Sequence, residues 1–357
     1  MRPACGGTAS LDWVSNDYLK IIGMKRILFF TIMLALVSCS DWVKPESLSY
    51  MPQRPSESDP DGYANHLAAV KAYKNTEHNV MILGMLGTAD APVSRPQHLM
   101  NMPDSADFIY IQDAVNLHSS LVSEIREVYE TKGTRTLLYV DFAVIEEEWT
   151  ALEDAKVDAG KPAGTAAEAE AFFKEKTQAQ IENFSKYGFS GVVVSFEGNT
   201  SGNRAYMQKG FLGVVCDWHK ANPDAIIILR GTIRNIEYTD PEYKKLIDDS
   251  MYQMVVSTEG STSAVEINKQ VTRILSYVPE KQRRVVFETT VPSVATPEQT
   301  GATPQVAAEW VLKEKNSSNF TPYGISVGNA YDDYYRQEQI YKNARAAITI
   351  MNPVVTE

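Results

Sequence analysis

Carboxylates, hydroxyls and one arginine recur in this chain at one kind of position, directly after short apolar runs. Gln112 and Asp113 follow Phe108-Ile109-Tyr110-Ile111, Asp141 follows Thr136-Leu137-Leu138-Tyr139-Val140, and Ser195 and Glu197 close the run Gly191-Val192-Val193-Val194. Arg230 follows Ala225-Ile226-Ile227-Ile228-Leu229, Ser257 and Glu259 follow Met254-Val255-Val256, and Glu288 follows Arg284-Val285-Val286-Phe287. Asn329, Tyr331 and Asp332 come after Tyr323-Gly324-Ile325-Ser326-Val327. Unbroken β-branched runs bounded by glycine are the pattern of strands covered on both faces, as in parallel sheets and barrels. In a barrel the carboxyl ends of the strands build the site, so these polar residues converge on one mouth. Acids gathered there repel unless they pair with Arg230, share protons, or hydrogen-bond a hydroxyl-rich ligand.

Other chemistries lack their requirements. The five histidines offer no His-x-His or His-x-x-x-His pair, so neither a metal nor another cofactor is expected. No Gly-x-Ser-x-Gly elbow or Cys/His pair supports a nucleophilic hydrolase, and no glycine-rich loop follows a strand to hold phosphate. Cys216, inside the run Phe211-Leu212-Gly213-Val214-Val215, reads as a small core residue. The formal charge of -11 excludes nucleic acid, whose phosphates call for a Lys/Arg surplus, and favours a neutral or cationic partner.

The elements that must carry these residues alternate along the chain. A helix around Tyr63 to Asn75 leads into the strand Val80 to Leu86, and the run with Leu117, Leu121, Ile125 and Val128 has helical spacing. Between the third strand and Thr165 the chain reads as a Gly/Pro-broken loop that contains Trp149. Thr165 with Glu168, and Ser263 with Glu266, form capping boxes, while Asp240-Pro241 and Thr303-Pro304 open two further helices. Tyr335 to Ile350 reads as the closing helix. Eight strands alternating with helices over ~270 residues predict an α/β fold consisting of a single (β/α)8 TIM barrel over residues 62–357.

Upstream of the barrel, Met24-Lys25-Arg26 precedes the apolar run Ile27 to Leu36 and then Val37-Ser38-Cys39, the layout of a signal peptide. Leu36-Val37-Ser38-Cys39 resembles the lipobox of bacterial lipoproteins, which implies that Cys39 is lipidated and becomes the mature amino terminus. Residues 1–38 are then upstream sequence plus signal peptide, with Met24 the expected true start. Residues 39–61, which carry Pro45, Pro52, Pro55 and Pro60, form a flexible tether. Ser40-Asp41 resembles the acidic export tag of surface lipoproteins in Bacteroidetes.

The stretch Tyr187-Gly188-Phe189-Ser190-Gly191-Val192-Val193-Val194-Ser195-Phe196-Glu197-Gly198 resembles the fourth-strand signature of family 18 glycoside hydrolases, the chitinases and endo-β-N-acetylglucosaminidases. Their pattern is Asp-x-x-Asp-x-Asp-x-Glu. The resemblance implies that Glu197 stands at the acid position of a substrate-assisted retaining reaction, an exception to the two-carboxylate scheme. The aspartate that supports the substrate's acetamido group in that family is replaced by Ser195, and the other two by Ser190 and Val193. The family's usual Trp near the end of strand eight and Tyr with Asp at strand six are absent. A serine cannot offset the charge of a forming oxazolinium ion, and losing such support costs about 100- to 1000-fold in rate.

The resulting expectation is a surface glycan-binding lipoprotein of a Bacteroidetes glycan-utilisation system, held in the outer membrane by its lipid. It would hold N-acetylglucosamine-containing glycans through Asp113, Asp141, Ser195, Glu197, Arg230, Glu259, Glu288, Asn329 and Tyr331. Tyr331, Tyr334 or Trp149 would stack on sugar rings, and outer-membrane glycan-import proteins would be partners. The alternative is an active endo-β-N-acetylglucosaminidase in which another acid, Asp141 or Glu259, replaces the lost aspartate.

Overall fold

The structure, a computed structural model, describes residues 58–198, 204–335 and 339–353. The expected leader, Cys39 and the body of the tether lie outside the described residues. Within the unit Asp61–Glu357, eight parallel strands close on themselves in chain order. The strands are β1 (Val80–Leu86), β2 (Phe108–Gln112), β3 (Arg135–Asp141), β4 (Gly191–Phe196), β5 (Ile226–Gly231), β6 (Tyr252–Val256), β7 (Arg284–Thr289) and β8 (Thr321–Val327). The fold is the single (β/α)8 barrel that the alternating runs predict.

Side chains alternate across each strand, so two apolar clusters form. Ile82, Tyr110, Leu137, Val193, Ile228 and Met254 fill the barrel interior. Val192, Val194 and Phe196 of β4 face outward to join Phe142, Phe173 and Phe211 in the larger cluster between barrel and helices. The one-residue offset along β4 therefore places Ser195 on the same inward row as Val193.

The capping residues act as the sequence suggests, except that Ser263 and Glu266 form only half of the expected box, the Glu266 carboxylate accepting from Lys269 instead. Thr165 and Glu168 close a reciprocal box on α4 (Ala166–Ile181), and Asp240 caps α7 (Pro241–Asp249) through Glu242 and Tyr243 amides. Thr303 caps α9 (Pro304–Lys313), and Ser263 caps α8 (Ala264–Ile274) by accepting from the Glu266 amide. The remaining helices are α1 (Pro60–Lys74), α2 (Ser119–Lys132), α3 (Phe142–Asp158), α5 (Asn183–Tyr187), α6 (Arg204–Ala221) and α10 (Lys342–Met351).

Three expectations need correction. The stretch read as a loop after the third strand folds as α3, because Asp141 caps it by accepting from the Ala143 amide and the glycines lie beyond its end. Trp149 on this helix is buried against Phe172 and the backbone at Gly164, so it is a core residue and not a sugar platform. The closing helix starts at Lys342, not Tyr335. Residues Ala330–Asp333 form a separate 3-10 turn, which Asp333 ties to α10 by accepting from the Ala344 amide.

A close approach shapes the upper interior. The Tyr110 ring stacks on Tyr139 at 5.3 Å and sends its hydroxyl across the barrel toward β7 and β8. That path exists because Gly84 has no side chain. A Cβ there would fall inside the contact radius of the Gly328 carbonyl and 2.8 Å from the Tyr110 ring.

Candidate ligand-binding mouth

Parallel register brings three polar residues into one row. Asp141 of β3 pairs with Ser195 of β4, and Ser195 pairs with Arg230 of β5. Ser195 is 1% exposed and accepts from Arg230 Nη1 at 3.1 Å. The Ser195 hydroxyl also stands near the Asp141 carboxyl and the Tyr139 phenol, and its effect on both is to lower them. Two residues on, Glu197 leaves the barrel with its side chain 55% exposed.

Arg230 is the hub of this row. Its Nε and Nη2 donate to Glu288 Oε1 at 3.0 and 2.6 Å, and Nη1 lies 3.9 Å from Glu197 Oε1. The guanidinium also stands over the Tyr139 ring at 5.7 Å. Burial works hardest against its charge, but the charge and hydrogen bonds of Glu288 together with Tyr139 and Tyr110 keep Arg230 well above its ordinary value. Glu288 is 2% exposed and accepts from the Tyr110 hydroxyl at 3.0 Å, so its carboxylate is engaged on both oxygens. Burial, with Glu288 nearby, drives the Tyr110 phenol upward, and burial does the same to Tyr139. Both phenols stay neutral donors.

Asp141 has a different balance. Burial raises its carboxyl above the usual carboxylate range, and the charge of Glu197 pushes the same way. The Ala143 amide, Arg230 and Ser195 oppose that shift. Gln180 of α4 locks the backbone at this point, accepting from Asp141 N at 2.8 Å and donating to Asp141 O at 3.3 Å.

The other candidates sit around this centre in different ways. Asp113 is exposed and adopts φ 51°, a left-handed conformation that few residues other than glycine, Asn and Asp take up. With Gln112, Tyr139, Asp141, Leu86 and Val144 it lines a cavity of about 410 Å³. Tyr331 lines a neighbouring cavity of about 600 Å³. Glu259 stands exposed in the turn after β6 and makes no hydrogen bond or ion pair among the described residues. Asn329 clamps two loops together, its amide accepting from Val291 N and donating to Val291 O and Asp332. Tyr334 is buried against Tyr341, so it is not a free platform.

Tyr110, Tyr139 and Gln180 are functional neighbours that the strand-end rule passes over. Tyr110 and Tyr139 lie inside apolar runs, and their inward facing is set by strand alternation. Gln180 comes from a helix and shows no sequence signal.

Burial pushes the Cys216 thiol up to about 12, which suits a core residue and not a nucleophile. Among the described residues no group of three His, Cys, Asp or Glu is placed to hold a metal. A further cavity of about 640 Å³ opens at the opposite end of the barrel, beside His78, Asp107, Phe108, Arg135 and Tyr252. Conserving a site there would depart from barrel practice, in which the amino-terminal face serves stability.

A family model described as glycoside hydrolase family 18, BT1044-like, matches residues 43–350. Solved structures share the fold at low identity. A selenomethionine Glu-to-Gln variant of BT1044 is 16% identical, with 85% of this chain and 96% of that one covered and a TM-score of 0.55. An endo-β-N-acetylglucosaminidase variant from Cordyceps militaris, in complex with fucosyl-N-acetylglucosamine-Asn, is 15% identical, with coverage of 80% and 95% and a TM-score of 0.51. YKL-39, solved with chitooligosaccharides, is 9% identical, with coverage of 76% and 99% and a TM-score of 0.50. No protein of curated function matches the chain in sequence.

Proposed function

The chain belongs to glycoside hydrolase family 18, in its BT1044-like group, and we propose that within this family it holds N-acetylglucosamine-containing glycans without hydrolysing them efficiently. The observation that carries this reading is Arg230 joined to Ser195 and Glu288 beneath Glu197. Substrate-assisted cleavage needs negative charge under the acetamido group as it closes to a cation. Here a guanidinium meets the residue two positions before the acid. A general acid is also helped by burial and by a neighbouring carboxylate that shares its proton. Glu197 is largely exposed and faces Arg230.

What remains suits recognition. Asp113 and Asp141 offer acceptors to sugar hydroxyls, and Tyr139 and Leu86 supply apolar walls to the same cavity, while Glu197 adds an exposed acceptor beside Arg230. The glycans named for the Cordyceps militaris structure and for YKL-39 support the ligand class. Calorimetry with released N-glycans and chitooligosaccharides tests the reading. Binding that weakens in Asp141→Asn is expected, and no binding of either class would sink it.

A second reading has one observation in its favour. Asp141 lies beside Ser195 on the adjacent strand, so its carboxylate is a candidate substitute for the lost aspartate in an active endo-β-N-acetylglucosaminidase. Its proximity to Arg230, and the engagement of that arginine with Ser195, weigh against it.

The lipobox-like Leu36-Val37-Ser38-Cys39 supports a further part of the proposal, that the protein is an outer-membrane lipoprotein whose barrel hangs from Cys39. Glycan-import proteins of the same membrane are the partners this placement suggests.

A further inference from the structure

Five large apolar side chains stand exposed around one edge of the mouth: Leu86 at the end of β1, Val93 in the following loop, Val115 after β2, Val294 after β7 and Tyr335 after β8. Strands β7, β8, β1 and β2 are consecutive in the closed barrel, so these loops are neighbours. Between them lies the cavity of about 600 Å³, with Leu86, Val294, Tyr331 and Tyr335 on its apolar side and Thr88 and Asp332 among its polar groups. That volume falls in the ~300–1,000 Å³ range of small-molecule sites. Leu86 also lines the cavity that holds Tyr139 and Asp141, so the two hollows meet at this residue.

Tyr335 is 71% exposed, yet its ring is held. Tyr334 packs edge-on against it at 4.8 Å and 81°, and buried Tyr341 packs edge-on against Tyr334 at 5.3 Å and 82°. An exposed ring braced in this way is a preformed flat surface that loses little freedom when something stacks on it. Tyr331 lies in the same cavity, where burial, with Asp332 nearby, raises its phenol and keeps it a neutral donor. Flat apolar surface flanked by hydroxyl and carboxylate groups matches a pyranose, which has apolar faces and a hydroxyl edge. Thr88 and Asp332 are anchored here, Thr88 by the Asp90 backbone and Asp332 by the Asn329 amide, so their oxygens form a fixed polar edge beside the apolar side of the cavity.

We infer that the Tyr331–Tyr335 cavity is a second sugar subsite, which seats one pyranose of an oligosaccharide whose neighbouring residues cross Leu86 toward Asp141. This rests on the glycan-holding reading and adds to it a minimum ligand length: an N-acetylated oligosaccharide, not a single sugar. Affinity then rises with chain length, and the rise depends on the two tyrosines.

Calorimetry on the full chain, with N-acetylglucosamine, its oligomers up to the hexamer, and released N-glycans, tests this. Tyr335→Ala and Tyr331→Ala are expected to weaken the longer ligands about tenfold each and to flatten the length dependence. Tyr335→Phe is expected to bind like the parent, because the ring face does the stacking. Tyr335 is exposed enough for its replacement to leave the fold intact, which circular dichroism checks. Ala variants that bind the hexamer as the parent does, while Asp141→Asn weakens it, would overturn this subsite and leave the glycan reading standing. A parent chain that binds none of these ligands would overturn both.

Discussion

Arg230 donates through Nη1 to the Ser195 hydroxyl at 3.1 Å while its Nε and Nη2 hold Glu288 at 3.0 and 2.6 Å. The position that carries an acetamido-supporting aspartate in the family signature is thus a neutral residue already committed to a cation. In the proposed glycan-holding role, this row of cross-strand partners is a paired, hydrogen-bonded floor to the mouth. The same pairing leaves Asp141 and Glu197 at the surface of the mouth for ligand.

Removing the hub should cost stability more than binding area. Arg230→Met leaves Glu288, 2% exposed, without its ion partner, and breaking a buried pair costs about 3–5 kcal/mol. The double variant Arg230→Met with Glu288→Gln should recover most of that loss. Denaturant unfolding of the two singles and the double completes the cycle; additive losses would show that the pair is not coupled.

Stability should depend on pH through Asp141. Its carboxyl is raised by burial, so the folded chain binds this proton more tightly than the unfolded chain does. That contribution is full below the ordinary carboxylate value and is lost as pH rises through the raised one. Asp141→Asn, which retains an acceptor for the Ala143 amide, should therefore melt higher than the parent at pH 7, with the difference closing in acid. Thermal melts across pH 3 to 7 check this. An Asn variant less stable at pH 7 would contradict the sign.

Gly84→Ala tests the packing that lets Tyr110 reach Glu288. The added methyl would collide with the Gly328 carbonyl and the Tyr110 ring, and overpacking of this kind costs about 1–3 kcal/mol. The variant should unfold at lower denaturant and bind glycan more weakly, because Tyr110 and Glu288 position Arg230. Unchanged stability would mean that β1 and β8 can separate freely at this point.

Membrane attachment should depend on one residue. Labelling cells with a tagged fatty acid is expected to mark the parent and not Cys39→Ala, whose product should move from the membrane to the soluble fraction. A labelled or membrane-bound alanine variant would remove the anchor from the account.

The barrel was legible because each strand is a short β-branched run and each polar end follows it directly, so Asp141, Ser195, Glu197 and Arg230 could be named from periodicity alone. Their register could not. Nothing in the chain says that Asp141, Ser195 and Arg230 form one row, because that depends on the stagger of three strands far apart in sequence. Helix α3 was missed because Gly160, Pro162 and Gly164 looked like a loop throughout, although they only end the helix that Asp141 starts. Trp149 and Tyr334 looked available for stacking because aromatic type carries no information on burial. Glu288 and Asn329 stand at strand ends as expected, but their partners, Arg230 and the Val291 backbone, come from other strands and loops.

The central claim is that the mouth retains glycan without cleaving it, and mass spectrometry of an N-glycoprotein and a chitooligosaccharide incubated with the parent and with Glu197→Gln tests it most directly. The account predicts that both proteins retain glycan and that the parent releases no more product than the variant. Release by the parent that Glu197→Gln abolishes would contradict it.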